Sequence, residues 1–228
     1  MGVLDALEFR DGTKLKLVDL RPGLEALRDV YFEHVYDRPF QLDDTGVVLD
    51  LGANIGVFSM IAATSLVPRG RVIAVEPNPT VLSVLRENVV ANCLRNIEVV
   101  YGAVAAEQGT IALRLAPNST GATIVGPEHG PSVMVPAVSF SDLVTTAGRV
   151  ELVKCDIEGA EWQIIYESDE RVWARIRRVA MEFHLDSGNG RTPEDLMLQF
   201  KKLGYENVVA FRPPGRSPLY GYLWADRA

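Results

Sequence analysis

The stretch "VVLDLGANIGVFS", residues 47–59, decides the fold. It begins with an apolar run that contains Asp50, continues through a turn with Gly52, Asn54 and Gly56, and returns to an apolar pattern typical of a helix. A strand, a glycine-bearing turn and a helix in this order hold an anionic or dipolar ligand against the start of the helix. The stretch therefore predicts an α/β protein that binds a ligand at this turn.

The segments that follow alternate between strand and helix patterns. Nearly continuous apolar runs predict strands with both faces covered, and apolar residues three or four apart predict helices. The predicted order is strand 47–51, helix 55–66, strand 71–75, helix 79–93 and strand 97–101. A βαβαβ order implies parallel strands with right-handed crossovers.

The same alternation returns in the second half of the chain. The predicted elements are helix 139–146, strand 151–155, helix 160–166, strand 178–183, a helix from Thr192 with Pro193 in its first turn, and strands 208–211 and 219–224. The last two strands are joined by a short turn, so they run antiparallel. We expect one domain over residues 1–228, with a doubly wound, seven-stranded, mostly parallel sheet and a C-terminal antiparallel hairpin.

Two regions depart from this alternation. Residues 1–45 form a predicted N-terminal extension, with a hairpin around Asp11-Gly12 and a helix at 22–36. Residues 103–136 mix short β-like pieces (110–115 and 133–135) with the turn-rich "APNSTGATIVGPEHGPS". An irregular insert of this length is typical of either a functional flap over the substrate or a disordered surface loop.

Composition narrows the class of protein. The chain has 228 residues, 47% of them hydrophobic and 23% charged, which is ordinary for a globular domain able to bury a core. Its formal net charge is −7, which argues against a nucleic-acid partner because such partners normally require a basic face. The composition does not indicate an oligomeric state.

Cysteine usage and the absence of long apolar segments indicate the compartment. Cys93 and Cys155 are far apart and form no CxxC pair, so we expect no disulfide framework and no zinc site. No apolar segment of a signal peptide follows Met1, and no apolar run approaches the ~20 residues needed to cross a bilayer. These features predict a cytoplasmic protein without a membrane partner.

The glycine spacing tests the first ligand to consider, a nicotinamide or flavin dinucleotide. The fingerprint G-x-G-x-x-G read from Gly52 gives Asn54 and Val57 at its second and third glycine positions. The glycine spacing therefore gives only weak support for a pyrophosphate-binding site. An NAD(P)-dependent oxidoreductase stays only as an alternative. A Walker phosphate loop is excluded because the chain contains no GK[ST].

S-adenosylmethionine fits the turn better, because it carries an amino-acid head and a ribose but no pyrophosphate. Gly52 allows close backbone approach, Asp50 orients the turn or the ammonium group, and Asn54 offers amide hydrogen bonds. Glu76 in "AVEPNP" stands at the end of the second strand, twenty residues after Gly56, where a carboxylate accepts both ribose hydroxyl protons.

Three further residues complete the predicted cofactor site. Gly102 and Ala103 follow the third strand and let an adenine ring approach. Tyr36 either covers the methionine end of the cofactor or packs in the core. In doubly wound sheets ligands bind outside the carboxyl ends of the strands, which is where most of these residues lie.

Four motifs carry a resemblance to a known family. They are "VVLDLGANIGVFS", "AVEPNP", "KCDIEGAEW" and "MEFH", in this order. Together with "YFEHVYDRPF" they resemble the FkbM family of S-adenosylmethionine-dependent methyltransferases, over roughly residues 31–184. The resemblance implies a class I methyltransferase fold and, usually, methylation of a hydroxyl on a sugar or natural product. A non-catalytic S-adenosylmethionine-binding module stays open as a second alternative.

A nucleic-acid methyltransferase on this fold is disfavoured. The acidic balance argues against it, and "CDIE" stands after the fourth strand in place of an "NPPY"-like segment. We therefore expect a small hydroxylated molecule as the substrate.

The candidate catalytic residues follow the fourth and fifth strands of the main alternation. Asp156 and Glu158 come from one strand end, and Glu182 and His184 share one face of the other. Glu161 either interacts with the dipole of the following helix or pairs with a nearby cation. A hydroxyl acceptor requires a base within hydrogen-bond reach or a metal that lowers its pKa.

Two mechanisms stay open. In the preferred, metal-free one, His184 or Asp156 takes the proton while Glu182 orients it. In the metal-assisted one, Asp156, Glu182 and His184 bind Mg²⁺.

Overall fold

The computed structural model describes residues 7–10, 12–18, 27–37, 40–115, 122–123, 132–185, 190–212 and 219–227. In chain order the strands are β1 (Leu7–Glu8), β2 (Lys14–Leu15), β3 (Val47–Leu51), β4 (Arg71–Glu76), β5 (Ile97–Tyr101), β6 (Ala103–Ala105), β7 (Gly109–Leu115), β8 (Ala122–Thr123), β9 (Ser132–Ser139), β10 (Val150–Cys155), β11 (Ile176–His184), β12 (Asn207–Phe211) and β13 (Tyr220–Asp226). The α-helices are α1 (Val57–Ile61), α2 (Pro79–Ala91), α3 (Phe140–Ala147), α4 (Glu161–Glu167), α5 (Glu170–Trp173) and α6 (Pro193–Lys202). Two π-helical turns span Arg28–Phe32 and Ala62–Leu66.

The main sheet has seven strands within the described residues, in the order β12-β13-β11-β10-β3-β4-β5. Strands β11, β10, β3, β4 and β5 are parallel, whereas β13 runs antiparallel to both β11 and β12. The predicted mostly parallel sheet with a C-terminal antiparallel hairpin is confirmed. Strand order reverses between β3 and β10, so the cleft outside their carboxyl ends is the expected ligand site.

Both faces of the sheet are covered, which explains the continuous apolar runs. Leu49 and Leu51 of β3 belong to the core on one face, with Trp173 and Phe200 of the helices that follow β9. Val48 belongs to the core on the other face, with α1 and the N-terminal segment. Alternate residues of one strand thus face two different helical layers.

The helices differ from the predicted ones mainly at their ends. Helix α1 begins at Val57 rather than at residue 55, and its continuation over Ala62–Leu66 is π-helical. The predicted helix 22–36 is described only from residue 27, where a π-helical turn forms, and residues 22–26 lie outside the described residues. Thr192 caps α6 as predicted, whereas α5 was not predicted.

None of the described helices is long and apolar enough to cross a membrane.

The predicted N-terminal hairpin is confirmed, and two asparagines hold it, Asn88 of α2 and Asn92 directly after that helix. Asn92 Oδ1 accepts from the Lys14 N–H at 2.8 Å, and Asn92 Nδ2 donates to the Lys14 carbonyl at 2.7 Å. Asn88 makes the same two bonds with the backbone of Lys16, at 2.7 and 3.1 Å. These amides pair with β2 as a neighbouring strand would, so the N-terminal segment is joined to the body of the protein.

Within the predicted irregular insert 103–136, the β-like pieces 110–115 and 133–135 are part of strands β7 and β9, and β6 and β8 add to them where the structure describes the chain. Strands β6, β9, β7 and β8 form a second sheet in that order, with β6 parallel to β9 and β7 antiparallel to both β9 and β8. Gly102, between β5 and β6, has φ +153°, and a Cβ there would lie 2.8 Å from the Pro136 carbonyl oxygen. Most of the turn-rich stretch, residues 116–121 and 124–131, lies outside the described residues.

Candidate active site

The glycine turn after β3 packs directly against the end of β10. Gly52 has φ +73°, and a Cβ there would lie 1.7 Å from the Asp156 carbonyl oxygen, so no larger residue fits. Gly56 has φ +91° and precedes α1, where a Cβ would collide with Leu85 of α2. Gly52 is therefore required by close approach to the backbone, as the sequence predicted, whereas Gly56 is favoured by its left-handed backbone conformation.

Asp50 supports this turn from behind. Its side chain is fully buried and accepts from Ser59 Oγ at 2.5 Å, while Lys154 Nζ lies 3.2 Å from Asp50 Oδ1. Of the two predicted roles for Asp50, this placement supports orientation of the turn rather than contact with an ammonium group in the cleft.

Lys154 is a site residue that the sequence patterns did not identify. Its ammonium group donates to the Gly52 carbonyl at 2.6 Å and lies 5.3 Å from the centre of the Tyr36 ring. Burial lowers the pKa of Lys154, but the Asp50 and Asp156 carboxylates outweigh burial and raise the pKa above its usual value. The available signal was a lysine in the apolar strand β10, which pairs in register with Asp50 of β3.

Glu76 ends β4 and faces the cleft. Its Oε2 accepts from the Asn54 N–H and its Oε1 from the Asn78 N–H, both at 2.8 Å. Burial raises the pKa of Glu76 to about 7, although both backbone hydrogen bonds act in the opposite direction. The carboxylate thus fixes the glycine turn and still has lone pairs for a ligand.

Gly52 and Glu76 line one cleft, whose empty volume, including the solvent at its open mouth, is about 580 Å³. The polar and small residues of its wall are Gly52, Asn54, Glu76, Gly102, Ala103, Asp156 and Glu158. Val104 and Leu113 of the second sheet form part of the apolar wall. Five of the eight predicted cofactor residues are therefore together in the cleft (Gly52, Asn54, Glu76, Gly102 and Ala103), whereas Asp50 and Gly56 support the turn.

Tyr36, the last of the eight predicted cofactor residues, lines a recess that adjoins this cleft. Gly52, Asn54 and Asp156 line both spaces, and Lys154 and Glu182 line the recess only. The Tyr36 hydroxyl lies 3.3 Å from Asp156 Oδ2 and 3.3 Å from Glu182 Oε2. Asp156 thus stands at the junction of the two spaces.

The predicted catalytic residues lie together around His184. Its Nδ1 is 2.9 Å from Glu161 Oε1, and its Nε2 is 3.5 Å from Glu158 Oε2 and 3.8 Å from Glu182 Oε1. Glu161 is fully buried and also accepts from the Ile157 N–H at 3.3 Å. Of the two roles predicted for Glu161, partner of a cation is the one that this contact supports.

The charge of His184 follows from these neighbours. Burial lowers its pKa, but the hydrogen bond with Glu161 and the charges of Glu161, Asp156 and Glu158 raise the pKa to about 10. His184 is therefore an imidazolium at neutral pH. A protonated imidazole has no free lone pair, which argues against His184 as the initial proton acceptor.

The positive charge of His184 also affects whether a metal ion can bind at this site. Among the described residues, Asp156, Glu161 and His184 bring one ligand atom each within 4.8 Å of one another, a set in which Glu161 replaces the predicted Glu182. A metal ligand must be a neutral imidazole, so a metal at this set would have to displace the His184 proton that is shared with Glu161. The arrangement therefore favours the metal-free mechanism.

Comparison with known proteins finds methyltransferases that are similar in sequence and in fold. A family model described as "Methyltransferase FkbM domain" matches residues 50–206. The methyltransferase sdnD of Sordaria araneosa is 26% identical over 195 residues, which cover 71% of this chain and 74% of that protein. The 31-O-demethyl-FK506 methyltransferase FkbM of Streptomyces tacrolimicus is 26% identical over 216 residues, covering 80% and 82%. The fold resembles that of M. jannaschii TYW2, crystallised with AdoMet, with a TM-score of 0.51 at 15% identity, covering 95% of this chain and 82% of that one.

Proposed function

The chain belongs to the FkbM methyltransferase family, and on that premise we propose that it transfers a methyl group from S-adenosylmethionine to a hydroxyl of a small molecule, such as a sugar or a natural product. The observation that carries the proposal is the position of Glu76 and the Gly52 turn on one cleft that opens at Asp156. Family membership favours this activity over the NAD(P)-dependent oxidoreductase that the sequence left as an alternative.

In the proposed cofactor site, each wall of the cleft contacts a different part of the molecule. Glu76 accepts the ribose hydroxyl protons, because its buried carboxylate has lone pairs beyond those used by Asn54 and Asn78. The Gly52 turn and the Asn54 amide hold the amino-acid end. Gly102 and Ala103, with Leu113 of the second sheet, leave a largely apolar wall for the adenine ring.

Asp156 is the proposed general base. When bound, S-adenosylmethionine supplies an activated methyl group and leaves as a neutral thioether. An aliphatic hydroxyl needs a base within hydrogen-bond reach as it attacks, and Asp156 stands where the cleft and the recess meet. As the acceptor oxygen forms its bond to the methyl carbon, its proton passes to the Asp156 carboxylate. His184 balances the charge of Glu161 and Glu158.

The proposed class of methyl acceptor is inferred from the charge of this protein and from the name of one relative. The formal net charge of −7 and the carboxylates around the recess disfavour a polyanionic acceptor such as nucleic acid. The relative from Streptomyces tacrolimicus is named as a methyltransferase of 31-O-demethyl-FK506. Both observations support a small hydroxylated acceptor, and we propose that the second sheet beside the cleft helps to enclose it.

Two measurements test the proposal. Calorimetry with S-adenosylhomocysteine is expected to show one site per chain. Incubation with S-adenosylmethionine and a panel of methyl glycosides and 31-O-demethyl-FK506 is expected to give a product heavier by one methyl group in place of hydrogen. Binding without any product would support the non-catalytic module, and binding of NADH but not of S-adenosylhomocysteine would contradict the proposal.

Turnover is expected to be independent of added metal. The proton of His184 and its hydrogen bond with Glu161 compete with a metal at this set, so EDTA and added Mg²⁺ should each change the initial rate by less than about two-fold. The measurement is the rate of methyl transfer after extensive dialysis against EDTA. A loss of activity in EDTA that Mg²⁺ restores would establish the metal-assisted mechanism instead.

The affinity for S-adenosylhomocysteine is expected to rise with pH around neutrality. The pKa of Glu76 is about 7, and below it the carboxyl group is protonated and accepts fewer hydrogen bonds from the ribose. If the ligand binds only to the carboxylate, the dissociation constant at pH 6 is about ten-fold higher than at pH 8. Calorimetry across this range measures it, with Glu76→Gln as the control whose affinity should show no such rise.

A further inference from the structure

Tyr36 connects two carboxylates that belong to neighbouring strands. Its side chain is 3% exposed, and its hydroxyl lies 3.3 Å from one oxygen each of Asp156, after β10, and Glu182, on β11. A phenol has one proton, so at any moment it donates to one carboxylate, and the two compete for it.

The phenol keeps this proton at neutral pH. Burial raises the pKa of Tyr36 well above its usual value, and the charges of Asp156 and Glu182 raise it further. Burial and the Asp156 charge likewise raise the pKa of Glu182, to about 8, so Glu182 is largely protonated at neutral pH. Tyr36 is therefore a permanent donor placed between two carboxyl groups, of which the protonated Glu182 is the weaker acceptor.

Packing fixes the Tyr36 ring in this position. Its edges contact Phe58 of α1 and Tyr222 of β13, with ring centres 5.8 and 5.9 Å apart. The carbonyl of the preceding residue, Val35, accepts from Trp224 Nε1 at 2.7 Å. The hydroxyl thus has little freedom to turn away from the carboxylates.

We propose that Tyr36 is a positioning residue for the reaction, which holds Asp156 in the orientation that accepts the proton of the substrate. This role rests on the proposed function, and it differs from a cover over the methionine end of the cofactor. The N-terminal extension, through Tyr36, is then part of the catalytic site.

Other charged and titratable groups face the same pair. They are Asp29 of the first π-helical turn, Lys154 of β10, Glu158 and Glu161 after β10, His184 of β11 and Tyr222 of β13. Glu182 and Tyr222 are cross-strand partners in the sheet. A substitution that changes only the Tyr36 hydroxyl leaves all of these groups in place.

Tyr36→Phe is the discriminating variant, because it keeps the ring and removes the hydroxyl. Loss of the donor removes the hydrogen bond to the Asp156 carboxylate, so the carboxyl ¹³C chemical shift of Asp156 should change at constant pH. Carboxyl ¹³C spectra of the unliganded protein at pH 7 measure this, with Asp156→Asn and Glu182→Gln used to assign the signals. Tyr205→Phe is the matched control, since the buried Tyr205 donates to the Ile176 carbonyl far from the cleft.

Turnover gives the second readout. With the acceptor methylated in the screen described above, Tyr36→Phe should lower kcat about ten-fold to a hundred-fold at pH 7, with partial recovery at higher pH. Its dissociation constant for S-adenosylhomocysteine should stay within about two-fold of the wild-type value.

Each outcome bears on the inference. An unchanged Asp156 carboxyl signal in Tyr36→Phe overturns it, whether or not an acceptor is known. A loss of kcat that is equal at every pH overturns it as well and indicates a purely structural role. If the wild-type protein binds S-adenosylhomocysteine but methylates nothing, the proposed function fails even where the carboxyl signal changes.

Discussion

Replacement of Glu76 by alanine is expected to weaken the binding of S-adenosylhomocysteine by about 100-fold or more. A hydrogen bond to a charged group contributes about 1.5–3 kcal/mol, and Glu76 is proposed to accept two from the ribose. The variant also leaves the Asn54 and Asn78 N–H groups without their carboxylate partner, which loosens the glycine turn. Isothermal calorimetry at pH 8 measures the dissociation constants of S-adenosylhomocysteine for the wild-type protein and for Glu76→Ala.

Two further variants serve as controls for the effect of Glu76→Ala. Glu98→Ala removes a glutamate whose side chain is 57% exposed on β5, and it should leave the affinity within about two-fold. Glu76→Gln keeps one acceptor oxygen and should lie between wild type and alanine. Wild-type affinity in Glu76→Ala, with an unchanged melting temperature, would show that the ribose binds elsewhere.

Asp156→Asn is expected to lower kcat by about 10²–10⁴-fold, the range that a general base contributes. The amide keeps the size of the side chain and can still accept from the Tyr36 hydroxyl, but it cannot take up the proton of the acceptor. The affinity for S-adenosylhomocysteine should change by less than about three-fold. Single-turnover methyl transfer separates the chemical step from product release.

The comparison with His184→Ala decides between the two proposed bases. His184→Ala leaves the buried Glu161 without its imidazolium, so we expect a lower melting temperature along with reduced turnover. Asp44→Asn, at a side chain 45% exposed, is the surface control. Full turnover in Asp156→Asn, with none in a folded His184→Ala, would reassign the base to His184.

Much of the fold was predictable because strands covered on both faces are continuous apolar runs. Strands β3, β4 and β10 have this character, and the residues that end each run mark the position of the cleft. Gly52 and Glu76 were identified for the same reason, since each directly follows or ends such a run. The second sheet was predicted only as the separate β-like pieces 110–115 and 133–135, because its strands flank a stretch rich in glycine, proline and serine, where local patterns favour loops.

Other features depend on neighbours that the sequence does not place next to each other. The pairing of Lys154 with Asp50 requires β10 to lie beside β3, and these strands are separated by two other strands and the second sheet along the chain. The charge of His184 likewise depends on Glu161, which folding buries against it. A residue type at a strand end predicts membership of the site, whereas its protonation state follows only from three-dimensional contacts.

The position of Tyr36 has a consequence for how this family diversifies. The residue lies outside residues 50–206, the portion that the family model matches, yet its hydroxyl contacts two carboxylates of the recess. On the proposed role of Tyr36, changes in the segment ahead of residue 50 retune reactivity while the motifs within residues 50–206 stay intact. Relatives that share those motifs but differ in this segment are expected to diverge in pH optimum, and grafting residues 27–37 between them should transfer that trait.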